Sequence, residues 1–158
     1  MGRTLVIKAT AGKDDPERCN QAFTVAAAAV ASGVQVSLWL TGEAAWFALP
    51  GRAADFSLPH AAPLSDLLAS VLALGTATVC SQCAARRDIA ATDVIDGVRI
   101  AGAATFVAEV MADGAQALVY LVHPRYWGGV TAARRSSRRR WASSSACGGS
   151  GGSGPAAQ

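Results

Sequence analysis

The chain has 158 residues, a length that fits one domain with a substantial core, and 51% of its residues are hydrophobic against 16% charged. This balance excludes a disordered or fibrous protein. The net charge of +3 is unevenly spread: residues 1–122 hold 8 Lys/Arg and all 11 Asp/Glu, whereas residues 123–158 hold 6 Arg and no acid. The composition therefore predicts a mildly acidic domain over residues 1–122 and a separate basic extension over residues 123–158.

One stretch without charged residues, Cys19–Gly42, is long enough to cross a bilayer. It is rich in alanine, carries polar side chains and is interrupted by Gly33, so a helix followed by a strand explains it better than a membrane span. Lys8 interrupts the first apolar run too early for a secretory signal. We therefore expect a cytoplasmic protein without a membrane segment, and cysteines that are thiols rather than disulfides.

Strand-like and helix-like patterns alternate along the domain. The first half predicts a strand, a helix, a strand and a short helix, at residues 4–9, 16–32, 34–40 and 43–49. Asp15 and Pro16 form a helix-start signal, and Gly33 is a helix-end signal. The second half predicts a helix, a strand, a helical turn, a strand, a helix and a strand, at residues 64–74, 76–80, 81–86, 94–100, 101–111 and 116–122.

This alternation predicts an α/β fold, a three-layer αβα sandwich with a mostly parallel five-stranded sheet of flavodoxin-like or Rossmann-like type. Such sheets bind ligands at the carboxyl ends of the strands, where the strand order reverses. In the flavodoxin order that point lies between the first and third strands. The segments Thr10–Asp15 and Cys80–Arg87 are therefore expected to face each other across a crevice.

A Cys-x-x-C motif, Cys80 to Cys83, falls at the predicted end of the third strand. A thiol at a helix N-terminus is favoured as the reactive thiolate, so we expect Cys80 to be the more reactive one. A redox dithiol, persulfide chemistry and two buried structural thiols all fit the spacing. Structural zinc fits poorly because it needs four ligands, and neither a second such motif nor a paired histidine spacing is present.

The run Cys80-Ser-Gln-Cys83-Ala-Ala-Arg86-Arg87, followed by Asp96-Gly-Val-Arg-Ile-Ala-Gly102, resembles the DsrE/DsrF-like (TusD-related) sulfur-relay family. So do the Lys13–Pro16 and Gly33–Ser37 segments, and the resemblance covers roughly residues 3–122. It implies a DsrE-like α/β domain that forms homo- or hetero-oligomers, often trimers or hexamers, and a homo-oligomer is the expectation for this chain. It also implies a persulfide-carrying cysteine where Cys80 lies, whereas a resolving role for Cys83 goes beyond the family pattern.

Four further residues are expected to line this site or steer a substrate: Lys13, Asp15, Gln82 and Arg86. A solvated lysine explains Lys13 better than a steering role, and Asp15 is expected first of all to cap a helix. Elsewhere, Glu109 is expected to be solvated, because it faces away from the apolar side of its helix, which carries Phe106, Val107 and Val110. Trp39, Trp46 and Phe47 form an aromatic cluster for either a partner subunit or the core.

The sequence thus favours a sulfur-relay protein that carries sulfur on Cys80, possesses neither metal nor cofactor, and exchanges sulfur with donor and acceptor proteins. The alternative is a non-catalytic, oligomeric small-ligand-binding or scaffold protein with structural cysteines. Isolated glycines without a G-x-G-x-x-G arrangement lower the case for a nucleotide cofactor. The Arg/Ser/Gly-rich residues 123–158, which include Cys147, predict a disordered extension that binds nucleic acid without specificity at most.

Overall fold

A computed structural model describes residues 3–121 of the chain. The strands are β1 Thr4–Ala9, β2 Gln35–Leu40, β3 Thr76–Cys80, β4 Val98–Ala101 and β5 Ala115–Tyr120. The helices are α1 Pro16–Ala31, a 3-10 helix Gly42–Ala48, α2 Leu64–Leu74, α3 Ser81–Ala85 and α4 Ala103–Val110. The predicted boundary at residue 122 and the predicted extension, residues 123–158 with Cys147, lie outside the described residues and stay predictions.

The five strands form one parallel sheet in the order β4-β3-β2-β1-β5. The predicted α/β fold class is confirmed, but the flavodoxin strand order is wrong. β2 lies between β1 and β3, and the strand order reverses between β1 and β5. The crevice predicted between the first and third strands therefore does not exist in that form, because β2 and the 3-10 helix that follows it lie between them.

Local sequence signals account for the boundaries of α1. The Asp15 side chain accepts a hydrogen bond from the Arg18 backbone N–H, and Pro16 occupies the first helical turn, where its missing N–H costs nothing. Gly33 adopts a positive φ of 77° directly after the helix, a conformation that costs glycine little. Asp15 thus serves as the helix cap that its position predicts.

The sheet divides the domain into two unlike faces. One face packs Ile7, Leu38 and Val79 against α1 and α2, and this packing forms the main hydrophobic core. Because side chains alternate along a strand, Lys8 and Trp39 point to the opposite face. There the Trp39 indole packs edge-on against Phe106 of α4 at 5.2 Å. The α4 face is therefore partly polar, while the α1–α2 face is apolar.

Candidate functional site

The two motif cysteines lie at the carboxyl edge of the sheet, where β3 passes directly into α3. Cys80 is the last residue of β3 and the N-cap of α3, with an extended backbone (φ −62°, ψ 125°). In the sheet, Cys80 pairs with Ala101, and Gly102 after it is the N-cap of α4. A Cβ on Gly102 would lie 3.4 Å from Ser81 Oγ, so the first turns of α3 and α4 approach closely. Two helix N-termini therefore begin beside the Cys80 backbone.

The surroundings of the partly exposed Cys80 thiol favour its thiolate. Partial burial raises the pKa of Cys80, but hydrogen bonds from the backbone N–H groups of Cys83 and Gln82 lower it. The Cys83 side chain and the positive charge of Lys8 lower it further, and together these effects place the pKa below its usual value. The sequence predicted the helix N-terminus but not the effect of Lys8 on the pKa of Cys80. The only hint in the sequence was that a lysine interrupts an apolar strand.

Cys83 occupies a different environment, although it hydrogen-bonds to Cys80. It is buried, with 8% of its surface exposed, and its Sγ accepts a hydrogen bond from the Gly42 backbone N–H at 3.2 Å. Both cysteines are free thiols. Cys83 therefore connects α3 to the start of the 3-10 helix. Its buried thiol also contacts Cys80 from the interior of the protein.

Arg87 connects this turn to the 3-10 helix. Its guanidinium donates to the Cys83 carbonyl at 3.2 Å and forms an ion pair with Glu43 at 2.7 Å. It also lies 5.7 Å from the centre of the Trp46 ring. Arg86, which the sequence predicted to line the site, is instead exposed and forms no ion pair within residues 3–121. The i, i+4 spacing of Arg87 from Cys83 is a sequence signal that could have identified Arg87.

The other predicted site residues separate into two groups. Gln82 is exposed on α3, and its backbone N–H faces Cys80. Lys13 is exposed and lines a cavity of about 200 Å³ together with residues of the 3-10 helix. Asp15 instead caps α1 and forms an ion pair with Arg18 at 3.4 Å. The structure thus places Gln82 next to the thiol pair and Lys13 at a neighbouring cavity. Asp15 instead pairs with Arg18, which is close to it in the sequence.

Glu109 on α4 is not solvated, so that prediction is wrong. Its Oε2 accepts hydrogen bonds from Ser37 Oγ at 2.6 Å and from Trp39 Nε1 at 2.8 Å, and its Oε1 pairs with Arg99. Burial raises the pKa of Glu109, but these hydrogen bonds and the Arg99 charge lower it below the usual value. Glu109 therefore fixes α4 to the sheet as a carboxylate.

The aromatic residues do not form the single cluster that their sequence positions predicted. Trp39 is 2% exposed and packs on the α4 face, whereas Phe47 is buried in the main core between Phe23 and Phe56. Trp46 is half-buried beside Arg52 and Arg87. Trp39 and Phe47 are thus core residues of two different faces.

No cluster of three or more His, Cys, Asp or Glu side chains able to hold a metal ion occurs within residues 3–121. Over the same residues, no helix combines the length and apolarity that a membrane crossing requires. At the carboxyl edge of the sheet, the two thiols are neighbours, and the Cys80 thiol is held toward its thiolate.

Comparison with known proteins agrees with this architecture. A model of the DsrE/DsrF-like family matches residues 4–120. The chain belongs to the DsrE/DsrF-like family. The solved structure of the ychN protein from E. coli is similar, with a TM-score of 0.60 and 20% identity over 75% of this chain and 100% of that chain. A protein of unknown function, MTH1491 from Methanobacterium thermoautotrophicum, gives a TM-score of 0.55 and 11% identity, over 75% and 99%. At these identities the likeness shows the fold alone, and the sequence matches no curated protein.

The family match starts at the first residue of β1 and ends at the last residue of β5. The DsrE/DsrF-like unit therefore contains the complete sheet, both thiols and the residues that hold them. The resemblance drawn from the motifs is confirmed at the level of the family, over nearly the same residues.

Proposed function

We propose that this DsrE/DsrF-like protein acts in sulfur relay and carries sulfur as a persulfide on Cys80. The lowered pKa of the Cys80 thiol, at the N-terminus of α3, is the observation that supports this role best. In the loading step, the Cys80 thiolate attacks the outer sulfur of a donor persulfide. The new S–S bond forms on Cys80, and the donor leaves as a thiolate with the electron pair of the broken bond.

Cys83 is proposed as the resolving thiol. Its side chain already hydrogen-bonds to Cys80, and attack of its thiolate on the inner sulfur of the Cys80 persulfide would form a Cys80–Cys83 disulfide. Hydrosulfide leaves with the electron pair, and a dithiol reductant then regenerates both thiols. Cys83 is buried from solvent but contacts the Cys80 thiol, so this step takes place within the protein, whereas an external acceptor thiol reaches the partly exposed Cys80.

Proteins of this family typically act in sulfur-relay complexes, and donor and acceptor proteins are the proposed partners. Gln82 and Arg86 are exposed on or directly after α3, where they can contact a protein whose thiol approaches Cys80. Such a carrier needs no cofactor, and the cytoplasm supplies the reducing environment that free thiols need. Nucleic acid is not a proposed specific partner.

A homo-oligomer, a trimer or hexamer, is proposed from the apolar surface of α4 and β5. None of the α4 side chains is buried, and Val107 and Met111 are 56% and 76% exposed. Val119 of β5 pairs with Lys8 and so lies on the same face of the sheet as α4, and it is 50% exposed as well. Exposed apolar side chains on one face of a domain are a feature of interaction sites. Sedimentation of a Val107→Glu/Met111→Glu variant should shift the protein toward monomer, whereas Leu74→Glu, on α2, should not.

Persulfide loading is tested by intact mass after incubation with glutathione persulfide. Cys147→Ser is used as the parent, because Cys147 lies outside the described residues and supplies an additional thiol. We expect the parent to gain the mass of one sulfur atom, Cys80→Ser to gain none, and Cys83→Ser to gain and retain it. Cys19→Ser is the matched control, since burial raises the pKa of Cys19 to about 12. Equal loading of Cys80→Ser and its parent would exclude Cys80 as the carrier.

A non-catalytic binding or scaffold protein remains the second candidate. The buried Cys83, whose Sγ accepts the Gly42 N–H, fits a structural thiol. This candidate predicts that the parent gains no sulfur under any donor condition, while Cys83→Ser is less stable than its parent. The mass measurement therefore separates the two functions.

A further inference from the structure

A cavity of about 200 Å³ lies at the carboxyl edge of the sheet, between the loop after β1 and the 3-10 helix. Its lining residues are Lys13, Glu43, Trp46, Phe47 and Arg52. The Lys13 and Arg52 side chains are exposed, Trp46 is half-buried, and Phe47 belongs to the core. The cavity therefore has a rigid aromatic floor and a charged rim.

The rim carries an excess of positive charge in an acidic domain. Within residues 3–121, Lys13 and Arg52 form no ion pair, and the Arg52 guanidinium lies 5.5 Å from the centre of the Trp46 ring. The one carboxylate of the cavity, Glu43, is already bound at 2.7 Å to Arg87, whose side chain is 15% exposed. Residues 3–121 contain eight Lys/Arg and eleven Asp/Glu, so their net charge is negative. The local excess at the cavity is therefore opposite in sign to the charge of the domain.

Within residues 3–121, the acidic residues beside Lys13 make other contacts and form no ion pair with either rim cation. Asp14, next to Lys13, accepts a hydrogen bond from the Gly12 backbone N–H at 2.7 Å, and Asp15 pairs with Arg18. Lys13 and Arg52 border the same cavity, and an anion placed between them interacts favourably with both positive charges. A Lys ammonium and an Arg guanidinium are also the donors that proteins use most for oxoanions.

We propose that this cavity binds a compact oxoanion with two negative charges, held by Lys13 and Arg52 over Trp46. The site is separate from the thiol pair, and its occupancy does not depend on persulfide chemistry. Sulfate, phosphate and thiosulfate share this chemistry, and only thiosulfate also offers a sulfur atom to a thiolate. Charge alone should therefore set the affinity, with similar binding of all three anions.

The test is an NMR titration of the full chain with sodium sulfate and, in parallel, sodium thiosulfate, at constant ionic strength maintained with chloride. The readout is the indole N–H resonance of Trp46, assigned with Trp46→Phe. A local readout is needed because the six arginines after residue 122 also attract anions. The site variant is Lys13→Gln/Arg52→Gln. The matched control is Arg3→Gln, which removes an exposed positive charge just before β1, at the opposite edge of the sheet.

We expect a saturable shift of the Trp46 resonance with both anions, about tenfold or more weaker binding in the double variant, and unchanged binding in Arg3→Gln. A shift that does not saturate, or an equal loss of affinity in Arg3→Gln, would show general charge screening and overturn the proposal. Binding of thiosulfate without sulfate would overturn it too, because recognition would then rest on sulfur. Failure of persulfide loading at Cys80 leaves these outcomes unaffected, so the two proposals fail separately.

Discussion

Removal of the Glu109 carboxylate should destabilise the domain although the residue lies far from the main core. Its Oε2 is the acceptor for both Ser37 Oγ and Trp39 Nε1, and its Oε1 pairs with Arg99. Arg99 in turn donates to Thr78 Oγ1 at 2.8 Å. Glu109→Ala removes the acceptor shared by donors on two strands, β2 and β4, and the 2% exposed Trp39 is left with a buried N–H that water reaches poorly.

The size of the effect follows from the number of bonds and their exposure. A hydrogen bond to a charged group contributes about 1.5–3 kcal/mol, and a buried donor left without a partner costs about 1–3 kcal/mol. The Glu109 side chain is 22% exposed and Arg99 48%, so solvent screens the ion pair and the two neutral donors contribute most. We expect Glu109→Ala to lower the free energy of unfolding by about 2–3 kcal/mol and Glu109→Gln by about 1–2 kcal/mol.

The effect should also depend on pH in one direction. The folded pKa of Glu109 lies below its ordinary value of 4.5, so the carboxylate stabilises the folded state fully above that pH. This stabilisation is lost as the pH falls through the lowered folded pKa. The difference between wild type and Glu109→Gln should therefore be constant near neutral pH and shrink in acid below pH 4.5.

The assay is urea unfolding followed by tryptophan fluorescence, from neutral to acidic pH. Asp113→Asn is the control, because Asp113 is exposed just after α4 and makes no ion pair within residues 3–121. Equal stability of Glu109→Ala and Asp113→Asn at neutral pH would show that the Glu109 carboxylate does not stabilise the fold. A stability deficit of Glu109→Gln that persists unchanged in acid would show that the charge of Glu109 is not responsible.

Three further outcomes follow from the geometry. Iodoacetamide should alkylate Cys80 with a midpoint below the usual thiol pKa and leave Cys19 unmodified in the folded protein, and mass spectrometry of peptides across pH checks this. Gly42→Ala should lower the melting temperature by several degrees, because φ is 51° and a Cβ would lie 2.7 Å from the Thr10 carbonyl oxygen; calorimetry measures it. Arg87→Gln should raise the accessibility of Cys83 to thiol reagents, because the ion pair that connects the end of α3 to Glu43 of the 3-10 helix is lost; unchanged labelling would contradict this.

Local signals in the sequence predicted the elements well because each signal acts within a few residues. Asp15 and Pro16 begin α1, and Gly75 ends α2 with a backbone N–H donated to the Val71 carbonyl. The order of the strands could not be predicted in this way, since periodicity identifies strands but not their neighbours. β2 is buried on both faces, as a central strand must be, yet its alternating pattern is equally compatible with the flavodoxin order.

The prediction for α4 failed for a physical reason. Its apolar side was expected to face the sheet, but the sheet here offers the Ser37 hydroxyl and the Trp39 indole N–H. Glu109 therefore turns inward together with Phe106, which packs on Trp39, and Val107 turns outward to solvent. A helical pattern assigns residues to the faces of a helix. It does not say which face finds packing and hydrogen-bond partners in the rest of the protein.

The orientation of α4 links its exposed apolar side chains to the candidate site. The helix begins at Gly102, against Ser81 of α3 and beside the strand position that pairs with Cys80. Its polar side is fixed by Glu109, so its exposed side is held in one orientation. A second copy that covers Val107 and Met111 would therefore bind to the same helix whose N-terminus adjoins the Cys80 turn. Loss of the Glu109 contacts should then weaken self-association as well as folding. Weaker self-association makes the melting temperature of Glu109→Ala depend on protein concentration, whereas a loss of folding stability alone lowers it equally at every concentration.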